Sequence, residues 1–420
     1  MQKVLNERED GMKQERSFPR VSVTKKAETS IRFGHPWIYD SEVRTDTDGL
    51  ENGCLVDVMS EKEAYLGTGF LSKSSKIRIR LLASNANETF GEAFYRRRVK
   101  YALDYRKTVM GREDLSCCRL IFGEADGLPG LTVDRYNDLL VTEVLSYGMN
   151  RVRDLVYRAI VSYLKEDGIT VRGIYERNEA AIRDLEGLKK EKGWYRAEYV
   201  TVPDSAFTEI DENGVRYLVD VENGQKTGFF LDQKYNRLAV AKIAHGRNVL
   251  DCFTHTGSFA LNALMGGAVC ATAVDVSETA VDMARRNAER NGMKERMDFL
   301  CADVFDLLPK LTEEHASYDF IILDPPAFTK SRRTMHDAER GYKEINYRAM
   351  KLLPRGGYLA TCSCSHFMDN AMFVGMLKSA ARDANVQLKL IEARRQSPDH
   401  PTLLNVPETD YLKFYLFQTV

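Results

Sequence analysis

The sequence predicts an α/β protein: a doubly wound, mainly parallel sheet in the C-terminal half, preceded by a small β domain and a central α+β segment. Three observations carry this. Residues 21 to about 82 are short runs of β-formers broken by Gly, Asn and Asp turns. Residues 92–110, EAFYRRRVKYALDYRKTVM, are periodic as a helix and open a stretch of mixed elements ending near residue 200. From about Phe207 onward apolar strand segments alternate with amphipathic helices.

In the first region PRVSVTKKA, GCLVDVMS, AYLGTGFLS and KIRIRLLA read as strands of a small barrel or sandwich. Strict alternation would turn Ile77, Ile79 and Leu81 inward and leave Lys76, Arg78 and Arg80 on one outward face. Residues 1 to about 17 read as a solvated tail. In the central segment Phe94, Val99, Ala102 and Leu103 share a helix face. A loop and strands follow in RLIFGEADGLPGLTVDRYNDLLVTEVLS, then the helix GMNRVRDLVYRAIVSYLKE and the strand GIYERN. The last region runs NVLDCF, a helix through Leu264, CATAVDVS, a helix through Asn291, MDFLCADV, YDFIILDPP, a helix around Ile345 to Leu353, and GGYLATCSC.

The bulk numbers bound the function. Lys+Arg 60 against Asp+Glu 61 gives a net charge of −1, which excludes a protein held to nucleic acid by overall charge but leaves room for a local basic patch. The eight cysteines show neither CxxC pairs nor Cys/His spacing, so free thiols in a reducing cytoplasm are expected, with no metal site. The polar start MQKVLNEREDGMKQERSFPR lacks a signal-peptide core, and no apolar run approaches the roughly 20 residues of a membrane span. The expectation is a cytoplasmic protein with no membrane contact, for which a homodimer stays open.

Motifs cluster at the predicted strand ends, where such sheets bind ligands. NVLDCFTHTGSFA runs strand, tight turn, helix; Gly257 would let backbone approach a ligand, and the helix offers free N–H groups. It is not GxGxxG, so a dinucleotide is disfavoured. Asp275 ends the next strand, placed to hold ribose hydroxyls, and Asp303 ends a third, within reach of an adenine amine. A lone aspartate in such a place is ordinarily a helix N-cap. Asp251, Asp275 and Asp303 at successive strand ends point instead to a nucleoside ligand without pyrophosphate, S-adenosylmethionine. YDFIILDPPAFTK ends in Asp324-Pro325-Pro326, a stiff turn that would fix the Asp324 carboxylate above the sheet to grip a planar base.

VLDCFTHTGSFA, AVDVS, LCADVF, ILDPPAFTK and TCSCS together resemble the motifs of class I S-adenosylmethionine-dependent methyltransferases. GHPWIYDSEV, RLIFGEADGLPGLTVDRY, TGFFLDQKYNR and QSPDHPTLLNVPETDYLK narrow the resemblance to bacterial large-subunit rRNA cytosine-C5 methyltransferases with an N-terminal PUA domain. It implies a PUA-like RNA-binding domain over 18–91, a central α+β domain over 92–200 and a Rossmann-like methyltransferase domain over 201–420. It implies Cys364 as nucleophile toward cytosine carbon 6 and Asp324 on the base edge. For the cofactor it implies Asp251, Phe253, Thr254, Thr256 and Gly257 in the turn, with Gln233, Asp275, Asp303 and Asp324 around it. The resemblance implies that Gln233, Lys234, Asn236 and Arg237 line the cofactor or RNA cleft; they are read equally well as a capped helix start with ordinary surface charge.

Lys330, Arg332 and Arg333, just past Asp324, are placed where an RNA backbone would run. Cys362 is expected to be packing, and His366 carries no assigned role. Many RNA cytosine-C5 methyltransferases have a second cysteine after the proline of the aspartate motif; here Ala327 stands there, which leaves the base for the elimination step unassigned. Two other functions fit parts of the pattern: methylation of an exocyclic amine of adenine or guanine, and a non-catalytic RNA-binding protein with a vestigial methyltransferase fold.

Overall fold

The computed structural model describes residues 17–329 and 334–420. All but the last residue of the expected tail lies outside that range, as do Lys330, Arg332 and Arg333.

The first unit holds β1 (Arg20–Ser22), α1 (Lys25–Arg32), β2 (Trp37–Tyr39), β3 (Leu55–Met59), β4 (Tyr65–Leu71) and β5 (Ile77–Ala83). Its five-stranded sheet, ordered β1-β3-β4-β5-β2, closes on Val21, Val56, Val58, Leu71 and Ile79. The expected alternation along β5 holds only in part. Ile79 is buried, but Ile77 and Leu81 are half-buried and Leu82 is buried in Leu81's stead. A register shift between Thr68 and Gly69 breaks the two-residue period. Gly69 permits it, since a Cβ there would lie 2.3 Å from the Arg80 carbonyl oxygen.

Arg80 is not on an outward face either. Its side chain is buried, and Nη2 donates to Glu186 Oε1 at 2.7 Å. The central unit covers that side of β5, so the pattern of one unit could not foretell it. Arg78 stays nearer the surface, paired with Asp40.

The central unit contains α2 (Glu92–Val109), β6 (Cys117–Phe122), β7 (Leu131–Tyr136), β8 (Leu139–Val144), α3 (Tyr147–Glu166), β9 (Gly173–Asn178), the single turn α4 (Ile182–Leu185) and β10 (Glu191–Trp194). Its sheet runs β10-β9-β8-β7-β6, and α3 makes the crossover that the parallel pair β8–β9 requires. One face of the sheet packs on α2 and α3 through Phe94, Val99, Val133 and Val156. The other, through Cys117, Tyr136 and Val141, joins the same core as the C-terminal sheet.

A hairpin, β11 (Phe207–Glu212) and β12 (Val215–Asp220), leads into the last unit. Its Asn213-Gly214 turn has φ of 57° and 78°, the left-handed pair that two-residue hairpin turns demand. The last unit comprises α5 (Lys234–Ile243), β13 (Asn248–Cys252), α6 (Ser258–Met265), β14 (Cys270–Asp275), α7 (Glu278–Arg290), β15 (Met297–Cys301), α8 (Val304–Glu313) and β16 (Phe320–Leu323). It ends with α9 (Met335–Leu352), β17 (Tyr358–Ser363), α10 (Asn370–Ala384), β18 (Leu388–Arg394) and β19 (Lys413–Thr419).

Its seven strands are ordered β15-β14-β13-β16-β17-β19-β18, parallel except for β19. Successive strand residues serve opposite cores: Val249, Phe320 and Ala360 on one face, Leu250, Ile321 and Leu359 on the other. Strand order reverses between β13 and β16, and such switch points open a crevice at the carboxyl ends of the strands. Among the described residues no helix is long and apolar enough to cross a membrane.

Candidate active site

A cavity of about 710 Å³ opens at that switch point. Asp275 from β14, Asp303 after β15, Asp324 after β16 and Cys364 after β17 all line it, with Gln233 from the approach to α5. The predicted site residues thus converge because the parallel strands deliver every carboxyl end to one rim.

Asp275 accepts the N–H of His255 at 2.9 Å on Oδ2 and that of Ser277 at 3.0 Å on Oδ1. Asp303 is the N-cap of α8, accepting from Phe305 N at 2.8 Å, and also borders the cavity. Cap and site are the same residue here. Phe253 and Thr254 line the cavity as well. Phe253 adopts a φ of 64° and His255 one of 51°, costly for non-glycine residues and sustained by the packed turn. Burial holds the His255 imidazole down to about 4, so it is neutral.

Three predicted turn residues do not reach the cavity wall. Asp251 is fully buried beneath the turn; Oδ2 accepts from Thr254 Oγ1 at 2.6 Å and from Ala260 N at 2.9 Å, and burial pushes its carboxyl up to about 7. It fastens the turn to the first turn of α6. Thr256 is buried. Gly257 has φ 79°, and a Cβ there would lie 3.0 Å from the Ala284 Cβ. A left-handed turn packed this closely on α7 requires glycine at that position.

On the other side of the cavity, Asp324 Oδ1 accepts from Gln233 Nε2 at 2.9 Å. Burial, and next the neighbouring Asp232 carboxylate, push Asp324 up to about 7. The Cys364 sulfur lies 3.9 Å from the Pro325 carbonyl oxygen. Burial, then the Asp324 and Asp232 carboxylates, push its thiol up to about 12, against the cations of Lys226 and Lys413. Cys362 is fully buried in the sheet core, as expected of packing, close enough to Asp324 that the carboxylate helps burial push its thiol up. His366 is exposed.

The segment beside Gln233 starts a helix, but not one with ordinary surface charge: Lys234 and Arg237 are buried, Gln233 makes no side-chain cap bond, and Gln233 and Arg237 line the cavity. Lys234 is buried and donates to the Cys117 carbonyl at 2.6 Å; Arg237 is buried on Glu212, with Nε–Oε1 at 2.6 Å and Nη2–Oε2 at 2.9 Å. Asn236 donates to Gln233 Oε1 at 2.6 Å. These residues fix α5 to its neighbours and thereby hold Gln233 over Asp324.

A family model described as S-adenosylmethionine-dependent methyltransferase matches residues 193–418, and one described as a PUA-like domain matches 21–84. The chain belongs to the S-adenosylmethionine-dependent methyltransferase family. It is 41% identical over 394 residues to ribosomal RNA large subunit methyltransferase I of Aeromonas salmonicida (strain A449), covering 94% of this chain and 97% of that one. The protein of the same name from Klebsiella pneumoniae (strain 342) is 38% identical over the same shares. In fold it is similar to a solved methyltransferase structure from Streptococcus mutans, with TM-score 0.79, 22% identity and coverage of 96% of this chain and 100% of that one. It is also similar to the structure of SMU.776 complexed with SAH, with TM-score 0.80 and 21% identity.

S-adenosylmethionine is the cofactor of this methyltransferase, and the cavity suits it. Carboxylates at the ends of β14 and β15 match hydroxyls and an amine, and Val276 and Phe305 beside them give an apolar wall for a purine. Phe328, 5.8 Å from Phe305 and 6.4 Å from Phe253 between ring centroids, continues that wall.

Several cavity residues escaped the sequence reading. Val276 and Phe305 could have been found, since each follows a strand-end aspartate within two residues. Asp232 and Tyr411, paired through Tyr411 Oη donating to Asp232 Oδ2 at 2.7 Å, lie within TGFFLDQKYNR and QSPDHPTLLNVPETDYLK, but nothing in those motifs singles them out as partners. Arg119 reaches the cavity from β6 in the central unit, and Glu408 links its rim to His35 of the first unit at 3.3 Å.

Proposed function

We propose that this methyltransferase forms 5-methylcytosine in large-subunit ribosomal RNA through a covalent adduct on Cys364. The observation that carries this is the sharing of one cavity by the Cys364 thiol, the Asp324 carboxyl and the strand-end carboxylates Asp275 and Asp303. The names of the similar Aeromonas and Klebsiella proteins support the RNA class, as does the PUA-like match.

Carbon 5 of cytosine is too weak a nucleophile to be methylated directly. Addition of the Cys364 thiolate to carbon 6 turns carbon 5 into an enamine-like centre. Bound S-adenosylmethionine supplies the electrophilic methyl group. Asp324, with a carboxyl held near 7, is partly protonated at neutral pH, so it can donate to the ring nitrogen while accepting from the amine. A neutral Asp324 also removes one of the two carboxylates that oppose thiolate formation at Cys364, leaving Lys413 and Lys226 a larger say.

On the cofactor side Asp275 is assigned to ribose hydroxyls and Asp303 to the adenine amine, with Phe253, Thr254 and Gln233 along the wall. Asp251, Thr256 and Gly257 act by shaping the turn. Lys330, Arg332 and Arg333 are assigned to RNA phosphates from their place in the sequence beyond Asp324.

Methylation of an exocyclic purine amine would use the same Asp-Pro-Pro turn without a thiol. Mass spectrometry of nucleosides from the rRNA of a deletion strain decides. Loss of one 5-methylcytosine is expected, and loss of a methylated purine overturns the assignment.

A further inference from the structure

The cytosine-C5 reaction needs a base that Cys364 and Asp324 do not supply. Once carbon 5 carries both its hydrogen and the new methyl group, the proton must leave before the thiolate can. Ala327 removes the usual second thiol, and His366 is exposed, outside the cavity lining.

Asp232 stands in the cavity wall with Asp324 and Cys364, immediately before Gln233 in sequence. Two contacts from the segment between β18 and β19 fix it. Tyr411 Oη donates to Oδ2 at 2.7 Å, and Ser397 N donates to the Asp232 backbone oxygen at 2.8 Å. The other carboxylate oxygen, Oδ1, is shielded from solvent and has no hydrogen-bond partner among the described residues. A shielded, unpartnered carboxylate oxygen is costly and calls for a ligand or a chemical role.

Lys226, Arg119 and Arg237 line the same cavity, and the two arginines feel Asp232 through space while their hydrogen bonds go elsewhere. Arg119 is bound bidentate to Asp134 at 2.7 and 2.8 Å, and Arg237 to Glu212. The Asp232 charge is nonetheless felt at both Asp324 and Cys364, where it raises each group's pKa.

We propose that Asp232 is the general base of the elimination step and Tyr411 its positioning residue. This rests on the cytosine-C5 assignment above. Asp232 Oδ1 takes the carbon-5 proton, the C–H electron pair becomes the C5–C6 double bond, and the C6–S pair returns to Cys364 as thiolate. Asp232 is left protonated and returns the proton to solvent. Oδ1 is the unpaired acceptor the step requires, brought to the substrate by a turn of the carboxylate about its Cβ–Cγ bond while the Tyr411 hydroxyl keeps its hold on Oδ2.

The test uses the purified full chain, methyl-labelled S-adenosylmethionine and large-subunit rRNA from a deletion strain, alongside the same RNA transcribed with 5-fluorocytidine. The wild-type enzyme should form a denaturant-resistant adduct with the fluorinated RNA, whose fluorine cannot leave as a proton does. Absence of that adduct overturns the cytosine-C5 assignment itself. Asp232→Asn should transfer methyl to unmodified RNA but hold it as a labelled protein–RNA adduct, with product release slowed roughly 100-fold or more, the scale of general-base catalysis.

Release at the wild-type rate, or an adduct with fluorinated RNA only, overturns the role of Asp232 while leaving the assignment standing. Should Asp232→Asn fail to bind S-adenosylmethionine in calorimetry, Tyr411→Phe decides. A slower release with visible adduct on unmodified RNA supports the proposal, and wild-type release overturns it.

Discussion

Gln233 Nε2 donates to Asp324 Oδ1 at 2.9 Å, joining the approach to α5 to the Asp-Pro-Pro turn after β16. That bond holds the Asp324 carboxyl down against the burial that raises it. Gln233→Leu removes the donor, so the carboxyl rises further. If protonated Asp324 is the working form, activity is lost as pH rises through its pKa, and in the variant that fall moves to higher pH. Although the working form is then more populated at neutral pH, Asp324 loses the bond that positions it, and we expect kcat/KM there to drop about 10-fold, the scale of one hydrogen bond to a buried ionisable group. A kcat/KM profile from pH 6 to 9 checks both, and an alkaline limb moved downward would refute the protonated form.

The two thiols near the end of β17 should separate cleanly. Cys364→Ala is expected to abolish turnover and the adduct with 5-fluorocytidine RNA while binding S-adenosylmethionine as the wild type does. Cys362→Ala keeps the adduct, and deleting a fully buried sulfur costs about 1 kcal/mol of stability. Trapping on a denaturing gel with calorimetry alongside reads the contrast. Retained turnover in Cys364→Ala would transfer the case to amine methylation.

Legibility in the sequence followed the range of the interactions. Alternating strands and helices revealed the C-terminal sheet, and strand-end motifs located Asp275, Asp303, Asp324 and Cys364 because parallel topology alone brings strand ends together. Asp251 and Gly257 also stood out as motif residues, yet their contacts run downward into α6 and α7, a direction no pattern encodes. Arg80 was misplaced because its partner, Glu186, is 106 residues away in another unit. Asp232 and Tyr411 lie 179 residues apart and meet only through tertiary structure.

The Arg80–Glu186 pair should matter more to stability than any surface ion pair. Both side chains are buried, and Glu186 Oε2 also accepts from Ser72 Oγ at 2.9 Å. Arg80→Met would leave Glu186 charged without its cation, which costs on the order of 3–5 kcal/mol. Removing the exposed Arg340 of the Asp337 pair should cost less than about 1 kcal/mol. Urea midpoints of the two variants give the comparison, and similar losses would refute the ranking.

Asp251 imposes a pH dependence whose sign is fixed by burial. Its carboxyl is raised to about 7 in the folded protein, against about 3.9 for an exposed aspartate. From pH 4 to 7 the unfolded chain gives up this proton while the folded protein keeps it, so stability falls with rising pH and levels above 7. Three units at about 1.4 kcal/mol each bound the change at about 4 kcal/mol. Asp251→Asn does not titrate, and its amide oxygen can still accept from Thr254 and Ala260. Relative to wild type, the variant's stability should therefore improve steadily from pH 4 to 7 and then hold constant. Taking the difference cancels titrations common to both proteins, including that of His255, which the folded protein keeps neutral down to about 4. Paired melting curves across that range measure it; a difference independent of pH would show that Asp251 is ionised within the fold and that the turn after β13 is built around a buried charge.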